Sequence, residues 1–332
     1  VLPWSICPAV PATTYFMRML LIVLSMALGT VSLRAAAPAD NETPTFRSGV
    51  ADVRVDVRVT EDGKLVNDLS KSDFAVFDDG LVQDLSYFGH DREPVSILLL
   101  LDVSGSMQPR LQELAARARE ALALLRPGDR VAIMVFGKRT AVHQDFFDNI
   151  GESARQIGLA LRGHDVGSGT AINSALVDAA EYMKAHLKGV PGRRAILIVT
   201  DNLSINYRVP DQKAIRELES ADAVLDAIVT GRGIRPSHPE PRQYLNPDST
   251  PADVFLLAEK TGGVAIKSDR AGDSLRDMIE SIRARYGLSY HAPGGAQPGS
   301  FRRIEVQLSM TARRRYPNAL LQYRTGYYAP GS

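Results

Sequence analysis

The side chains in this sequence best suited to chemistry are hydroxyls and carboxylates placed at the ends of apolar runs. Leu98-Leu99-Leu100-Leu101 leads straight into Asp102-Val103-Ser104-Gly105-Ser106-Met107, which sets one acid and two hydroxyls at alternating positions of a loop. A later apolar run, Ile196-Leu197-Ile198-Val199-Thr200, ends in Asp201, and Gly167-Ser168-Gly169-Thr170 brings a hydroxyl to the start of a helical stretch. Asp102, Ser104, Ser106, Thr170 and Asp201 are all hard oxygen donors. Such a set selects Mg2+, Mn2+ or Ca2+ over zinc or copper, which favour nitrogen and sulfur. So few short side chains leave the shell of an octahedral ion incomplete, and water or a partner's oxygen must fill it. Two aspartates nearly balance the ion's charge, so an incoming carboxylate is not repelled. Taken singly, Asp and Ser are ordinary turn and cap residues; only the set of five points to a metal.

Competing chemistries lack their parts. A phosphoaspartyl enzyme would want a second carboxylate two residues after Asp102, where Ser104 stands. The chain holds no G-x-S-x-G elbow, no H-E-x-x-H and no G-x-x-x-x-G-K phosphate loop. With no nucleophile paired to a base, catalysis is not expected. His164-Asp165 reads as a solvated loop pair and His143 as a surface residue.

From Pro94 onward, short apolar runs alternate with helical stretches, the pattern of a parallel sheet covered on both faces. Strands are expected over 96–101, 131–136, 195–200, 223–230 and 264–266, and helices over 110–125, 153–161, 171–186, 212–219, 252–260 and 274–286. Gly137-Lys138-Arg139 is too short for a crossover, so the strand over 140–146 must run antiparallel to the one before it. The expected fold class is therefore α/β, a doubly wound, mostly parallel sheet with one antiparallel strand. Ligands bind at the carboxyl ends of strands in such sheets, where Asp102 and Asp201 both fall.

β character also flanks this region. Val53, Val55, Val57 and Val59 alternate with charged residues, Asp62-Gly63 and Asp79-Gly80 supply tight turns, and 74–77 with 81–88 reads as a hairpin. Further strands are expected over 287–291, 302–308 and 323–328, with 293–300 a Gly/Pro loop and Arg313-Arg314-Arg315 a solvated run. The expected organisation is 1–37 upstream residues and signal peptide, 38–50 linker, 51–92 N-terminal β module, 93–290 the α/β domain and 291–332 a C-terminal β tail. The Pro-rich loop 231–250 follows a strand's carboxyl end and should overhang the site, shaping partner choice together with 204–210; the alternative its polar composition allows is a disordered insertion.

The 332 residues, 45% of them hydrophobic, are enough for one sizeable core and a smaller module. The 39 Lys and Arg nearly cancel the 38 Asp and Glu, so charge recommends neither nucleic acid nor an anionic membrane surface as a partner. The one cysteine, Cys7, excludes an internal disulfide framework and thiolate zinc clusters. Met17-Arg18, the apolar run 19–33 and Ala35-Ala36-Ala37 follow the order of a cleaved signal peptide, with 1–16 read as an upstream mis-start. The run, about 15 residues, is shorter than a spanning helix needs, so the mature chain is expected to be exported, periplasmic or extracellular, without a stable membrane span.

Asp102-x-Ser104-x-Ser106, with Thr170 and Asp201 in later loops, resembles the metal ion-dependent adhesion site of von Willebrand factor type A domains and integrin inserted domains. The resemblance spans roughly 94–290 and implies a Rossmann-like fold. It implies direct ligation by Ser104 and Ser106, direct or water-mediated ligation by Thr170, and ligation largely through water by Asp102 and Asp201. The family commonly has glycine after the second aspartate; here it is Asn202. The flanks, Asp73-Phe74-x-Val76-Phe77-Asp78-Asp79-Gly80 and Arg324-Thr325-Gly326-Tyr327-Tyr328-Ala329-Pro330, are similar to those of an exported A-domain family abundant in acidobacteria. The function implied is metal-dependent protein binding: a divalent cation, Mg2+ first and Mn2+ or Ca2+ next, coordinates an Asp or Glu of a partner protein. The alternative is an envelope scaffold in which the metal only stiffens loops. Integrin-like domains shift their last helix on binding; here that helix runs directly into a β tail.

Overall fold

The computed structural model describes residues 52–329 apart from 91, 163, 205–208, 232, 234, 236–249 and 252. Cys7, the signal-like segment 17–37, most of the loop 231–250 and the middle of 204–210 lie outside the described residues. The chain begins with β1 (Asp52–Glu61), β2 (Lys64–Leu65), β3 (Phe74–Asp78), β4 (Leu81–Gln83) and β5 (Leu85–Gly89). It continues through β6 (Val95–Asp102), α1 (Gln108–Leu122), β7 (Arg130–Phe136), β8 (Thr140–Phe147), α2 (Ile150–Ala160), α3 (Ile172–His186), β9 (Arg193–Thr200) and β10 (Leu203–Ser204). Then follow α4 (Asp211–Ser220), β11 (Ala223–Val229), β12 (Thr250–Pro251), α5 (Val254–Thr261), β13 (Ala265–Lys267) and α6 (Ala271–Arg283). The last elements are β14 (Tyr286–His291), β15 (Phe301–Leu308), α7 (Met310–Arg315), β16 (Leu320–Gln322) and β17 (Gly326–Tyr328).

The central sheet is ordered β13-β11-β9-β6-β7-β8. Its pairs are parallel except β7 with β8, as the short turn at Gly137 requires. Period-two geometry explains the uninterrupted leucines of β6. Ile97, Leu99 and Leu101 face one layer, with Leu111 and Leu114 of α1, Ile157 of α2 and Leu275 and Ile279 of α6. Leu98 and Leu100 face the other, with Leu176 of α3, Leu218 of α4 and Leu257 of α5. Every residue of β6 is buried, and each leucine withdrawn from water contributes about 1.5–3 kcal/mol. This packing is what fixes the height of Asp102 at the strand's end.

The β segments at the two ends of the sequence are interwoven. β1 pairs with both β14 and β16, β14 also pairs with β5, and β15 lies between β3 and β17. The resulting sheets share a core of Val55, Val57, Val76, Leu288, Ile304 and Val306. The two flanking motifs meet at Asp78, a fully buried carboxylate that accepts the hydroxyls of Tyr290 and Tyr327, each at 2.9 Å, and Arg302 Nε at 2.6 Å. Both Asp-Gly turns hold two successive left-handed residues, Asp62 (φ 49°) with Gly63 (79°) and Asp79 (48°) with Gly80 (82°), as a type I′ hairpin demands.

Two local expectations differ from the structure. The segment 81–88 is not one strand: it breaks at Asp84, and β5 leaves β4 to pair with β14. The last helix of the α/β region spans Ala271–Arg283 rather than 274–286, because Tyr286 already turns its ring into the β core. Arg313 to Arg315 are exposed, as a solvated run should be, and lie on the short helix α7, where Arg315 donates to Asp73 at 3.0 Å and Arg313 to the Leu308 carbonyl at 3.0 Å.

The carboxyl end of α6 is gripped. The buried Arg193 guanidinium donates to the carbonyls of Ile282, Arg285 and Arg283 at 3.0, 2.7 and 3.1 Å. Arg285 in turn makes a two-point ion pair with the buried Asp226, at 2.6 and 2.9 Å. Among the described residues no helix is long and apolar enough to cross a membrane.

Candidate metal centre

Asp102 closes β6 and is fully buried, with both carboxylate oxygens engaged. Oδ1 accepts the Ser104 backbone N–H at 3.0 Å, curling the loop back on itself, and Oδ2 accepts the Thr200 hydroxyl at 2.7 Å. The loop continues as a 3-10 turn, Gly105–Met107, and then as α1, where Pro109 in the first turn supplies a helical φ and forfeits no helical hydrogen bond. Ser104 and Ser106 Oγ lie 3.2 Å apart, and Ser106 Oγ donates to Asp201 Oδ2 at 2.7 Å. The other Asp201 oxygen accepts the Leu203 N–H at 3.2 Å. Ser104, Ser106 and Asp201 therefore form one continuous line of oxygen donors, with Asp102 beneath them holding the loop.

Thr170 stands on the third loop, brought alongside by backbone contacts. Val103 N–H donates to Phe136 O at 3.0 Å, Ala171 N–H to Gly137 O at 2.8 Å and Arg139 N–H to Val166 O at 2.8 Å. A Cβ at Gly137 would meet the Gly167 carbonyl at 2.6 Å, so only glycine admits this loop so close to the end of β7. Thr170 is buried, and its carbonyl accepts the Ser204 hydroxyl at 3.1 Å, which ties it to the Asp201 loop.

Asn202 follows Asp201 with φ 58°. Its backbone is left-handed, which is why glycine is common there and why asparagine, among the side chains most tolerant of that region, can replace it. Its N–H donates to Thr200 Oγ1 at 3.1 Å. Thr200, Gly137 and Ser204 are supporting residues that motif reading does not pick out. Thr200 was within reach of it, because β9 lies parallel beside β6 with Val199 opposite Leu101, leaving the next residue of β9 beside Asp102.

The donors suit a hard cation. Burial pushes the Asp102 carboxyl up to about 6 against the hydrogen bonds from Thr200 and Ser104, and the nearby Asp201 charge adds to the rise. Among the described residues neither aspartate is paired with a cationic side chain. A divalent ion beside them would supply the missing positive charge. Among the described residues no three imidazole, thiolate or carboxylate groups converge, so an ion here depends on the hydroxyls as well. A cleft of about 360 Å³ adjoins the site between Val103 and Gln108 on one side and His164, Val166 and Ser168 on the other.

His164 is not a partner of its neighbour Asp165. Its Nε2 lies 2.9 Å from His143 Nδ1, whereas Asp165 pairs with Arg139 at 3.2 Å.

No curated protein sequence matches the chain. Among solved structures, an aerotolerance-related membrane protein from Bacteroides fragilis is similar at 19% identity, with 57% of this chain and 98% of that one covered and a TM-score of 0.43. BatB from Bacteroides thetaiotaomicron is similar at 18% identity, covering 57% and 97%, with a TM-score of 0.41. Proximal thread matrix protein 1 from the mussel byssus, in a form with a zinc-occupied MIDAS motif, is similar at 14% identity, covering 62% and 49%, with a TM-score of 0.42. Residues 97–203, the stretch that contains Asp102, Ser104, Ser106, Thr170 and Asp201, match the model of the von Willebrand factor type A domain. This chain carries a von Willebrand factor type A domain.

Proposed function

We propose that the chain is a metal-dependent protein-binding module, in which a divalent cation is held by Ser104, Ser106 and Thr170 directly and by Asp102 and Asp201 largely through water. The ion would be Mg2+ first, with Mn2+ or Ca2+ admitted by the same oxygen chemistry. Its remaining position takes an Asp or Glu carboxylate from a partner protein, and no bond is made or broken. The observation that carries this reading is the line Ser104–Ser106–Asp201 at the carboxyl edge of the sheet, 3.2 and 2.7 Å between successive oxygens. The apolar run 19–33 followed by small residues supports an exported protein, periplasmic or extracellular.

The test is calorimetric titration of the chain with Mg2+ and Mn2+ beside Asp102→Ala and Thr170→Ala. Saturable binding that both variants lose, and capture of an acidic partner that chelation abolishes, are expected. A folded chain whose partner binding ignores chelator would reject the reading in favour of the envelope scaffold.

A further inference from the structure

Two imidazoles face each other on the rim beside the oxygen site. His143 projects from β8 and His164 from the loop after α2, with Nδ1 of the first 2.9 Å from Nε2 of the second. Their rings cross at 80° with centroids 5.1 Å apart, and both residues are half-buried.

The orientation of His143 is imposed from its far side. His143 Nε2 lies 2.8 Å from Gln156 Oε1, and Gln156 Nε2 donates to Glu152 Oε1 at 2.7 Å. An ionised carboxylate only accepts, so Gln156 must offer its NH2 to Glu152 and its oxygen to His143. His143 therefore carries its proton on Nε2 and directs the Nδ1 lone pair at His164. Proteins orient a metal-ligating histidine in this way, with the non-ligating N–H engaged and the other nitrogen left as a donor to the ion.

In the observed geometry the proton of His164 sits on Nε2 and points at that lone pair. Moving it to Nδ1, a tautomer exchange through solvent with no net gain or loss of protons, leaves two nitrogen lone pairs facing each other, which a turn of the two rings directs onto one ion. An ion about 2.0–2.1 Å from each nitrogen at a tetrahedral angle needs them about 3.3 Å apart, a few tenths of an ångström wider than they are. His164 sits in a loop rather than in a strand or helix, so that small opening does not disturb the sheet.

We propose that His143 and His164 form a second metal site, distinct from the oxygen site and selective for ions that favour imidazole, Zn2+ above all, with Cu2+ and Ni2+ in the same class. Gln156 and Glu152 are its positioning residues. Among the described residues no third imidazole, thiolate or carboxylate converges on the pair. Water, or a ligand offered by whatever docks on this rim, completes the shell.

The test is a Zn2+ titration of the full chain in excess Mg2+, which competes for oxygen ligands and not for imidazole. The expected result is one saturable Zn2+ event that persists in a Ser104→Ala/Ser106→Ala variant and weakens at least about tenfold in His143→Ala and in His164→Ala. Gln156→Met should weaken Zn2+ binding while leaving the melting temperature measured with chelator unchanged. Should the histidine variants fail to fold, electron paramagnetic resonance of the unaltered chain with one equivalent of Cu2+ decides: coupling to two imidazole nitrogens is expected. Zn2+ binding that survives His164→Ala, that disappears in the serine variant, or a Cu2+ signal without nitrogen coupling would overturn the proposal.

Discussion

The Thr200 hydroxyl donates to Asp102 Oδ2 across 2.7 Å, and it receives the Asn202 N–H at 3.1 Å. A single side chain thus joins the ends of two neighbouring strands and orients the acid beneath the proposed ion. Thr200→Val keeps the shape and removes both hydrogen bonds. The expected outcome is a loss of Mg2+ affinity of about 10- to 100-fold, the usual effect of removing a residue that orients a ligand. Thr200→Ser should restore most of it, and calorimetry on the two variants provides the check.

The left-handed backbone at Asn202 predicts an order of stability. A β-branched side chain at φ 58° is strained, whereas glycine is not. Asn202→Val should be less stable than Asn202→Gly by about 1–2 kcal/mol in denaturant unfolding. Equal midpoints for the two variants would contradict this account of the turn.

Gly137 makes room for the Thr170 loop. In Gly137→Ala the new methyl would press on the Gly167 carbonyl, a contact of 2.6 Å that only a shift of the loop can relieve. The sheet should survive while Mg2+ affinity falls about tenfold, because the loop that carries Thr170 is displaced. Circular dichroism and Mg2+ titration of the same sample separate the two effects.

Glu219, buried near the carboxyl end of α4, gives a pH dependence unrelated to metal. Burial raises its carboxyl from 4.5 to about 7, against the opposing charges of Arg324 and Arg216. The folded chain therefore keeps a proton that the unfolded chain releases above about pH 4.5. The corresponding stability is fully present below that pH and is lost as pH rises through about 7. Glu219→Gln should remove this slope, making the variant gain on the parent by up to about 3 kcal/mol between pH 4.5 and 8. Parallel melting curves across that range are the measurement.

Much of this architecture is legible in the sequence because its signals are local. The alternation from Val53 to Val59, the four leucines before Asp102 and the brevity of 137–139 each fix a strand or its direction through period or connection length alone. What escapes is long-range. Nothing near Leu85 announces that β5 deserts its hairpin for β14, and nothing near Asp78 announces that Tyr290 and Tyr327 will converge on it. The oxygen donors can be chosen by type and spacing, whereas of their supports only Thr200, beside Asp102 at the end of the neighbouring strand, is within reach. Gly137 and Ser204 matter through backbone approach and a carbonyl contact, which no residue pattern records. His143 and His164 read separately as surface residues because their meeting depends on how β8 lies beside the loop after α2.

The unbroken passage from α6 into β14 has a mechanical consequence. An axial slide of the helix by one turn is about 5.4 Å, whereas a strand advances about 3.4 Å per residue. Such a slide would carry β14 roughly a residue and a half out of phase with β1 and β5 and turn Tyr286, Leu288 and Tyr290 away from the core they fill. The three-carbonyl grip of Arg193 would have to release as well. A piston stroke of this helix is thereby locked out, and the domain is expected to behave as a rigid socket whose occupancy follows cation and partner concentration along a simple hyperbola, with no affinity gear to shift.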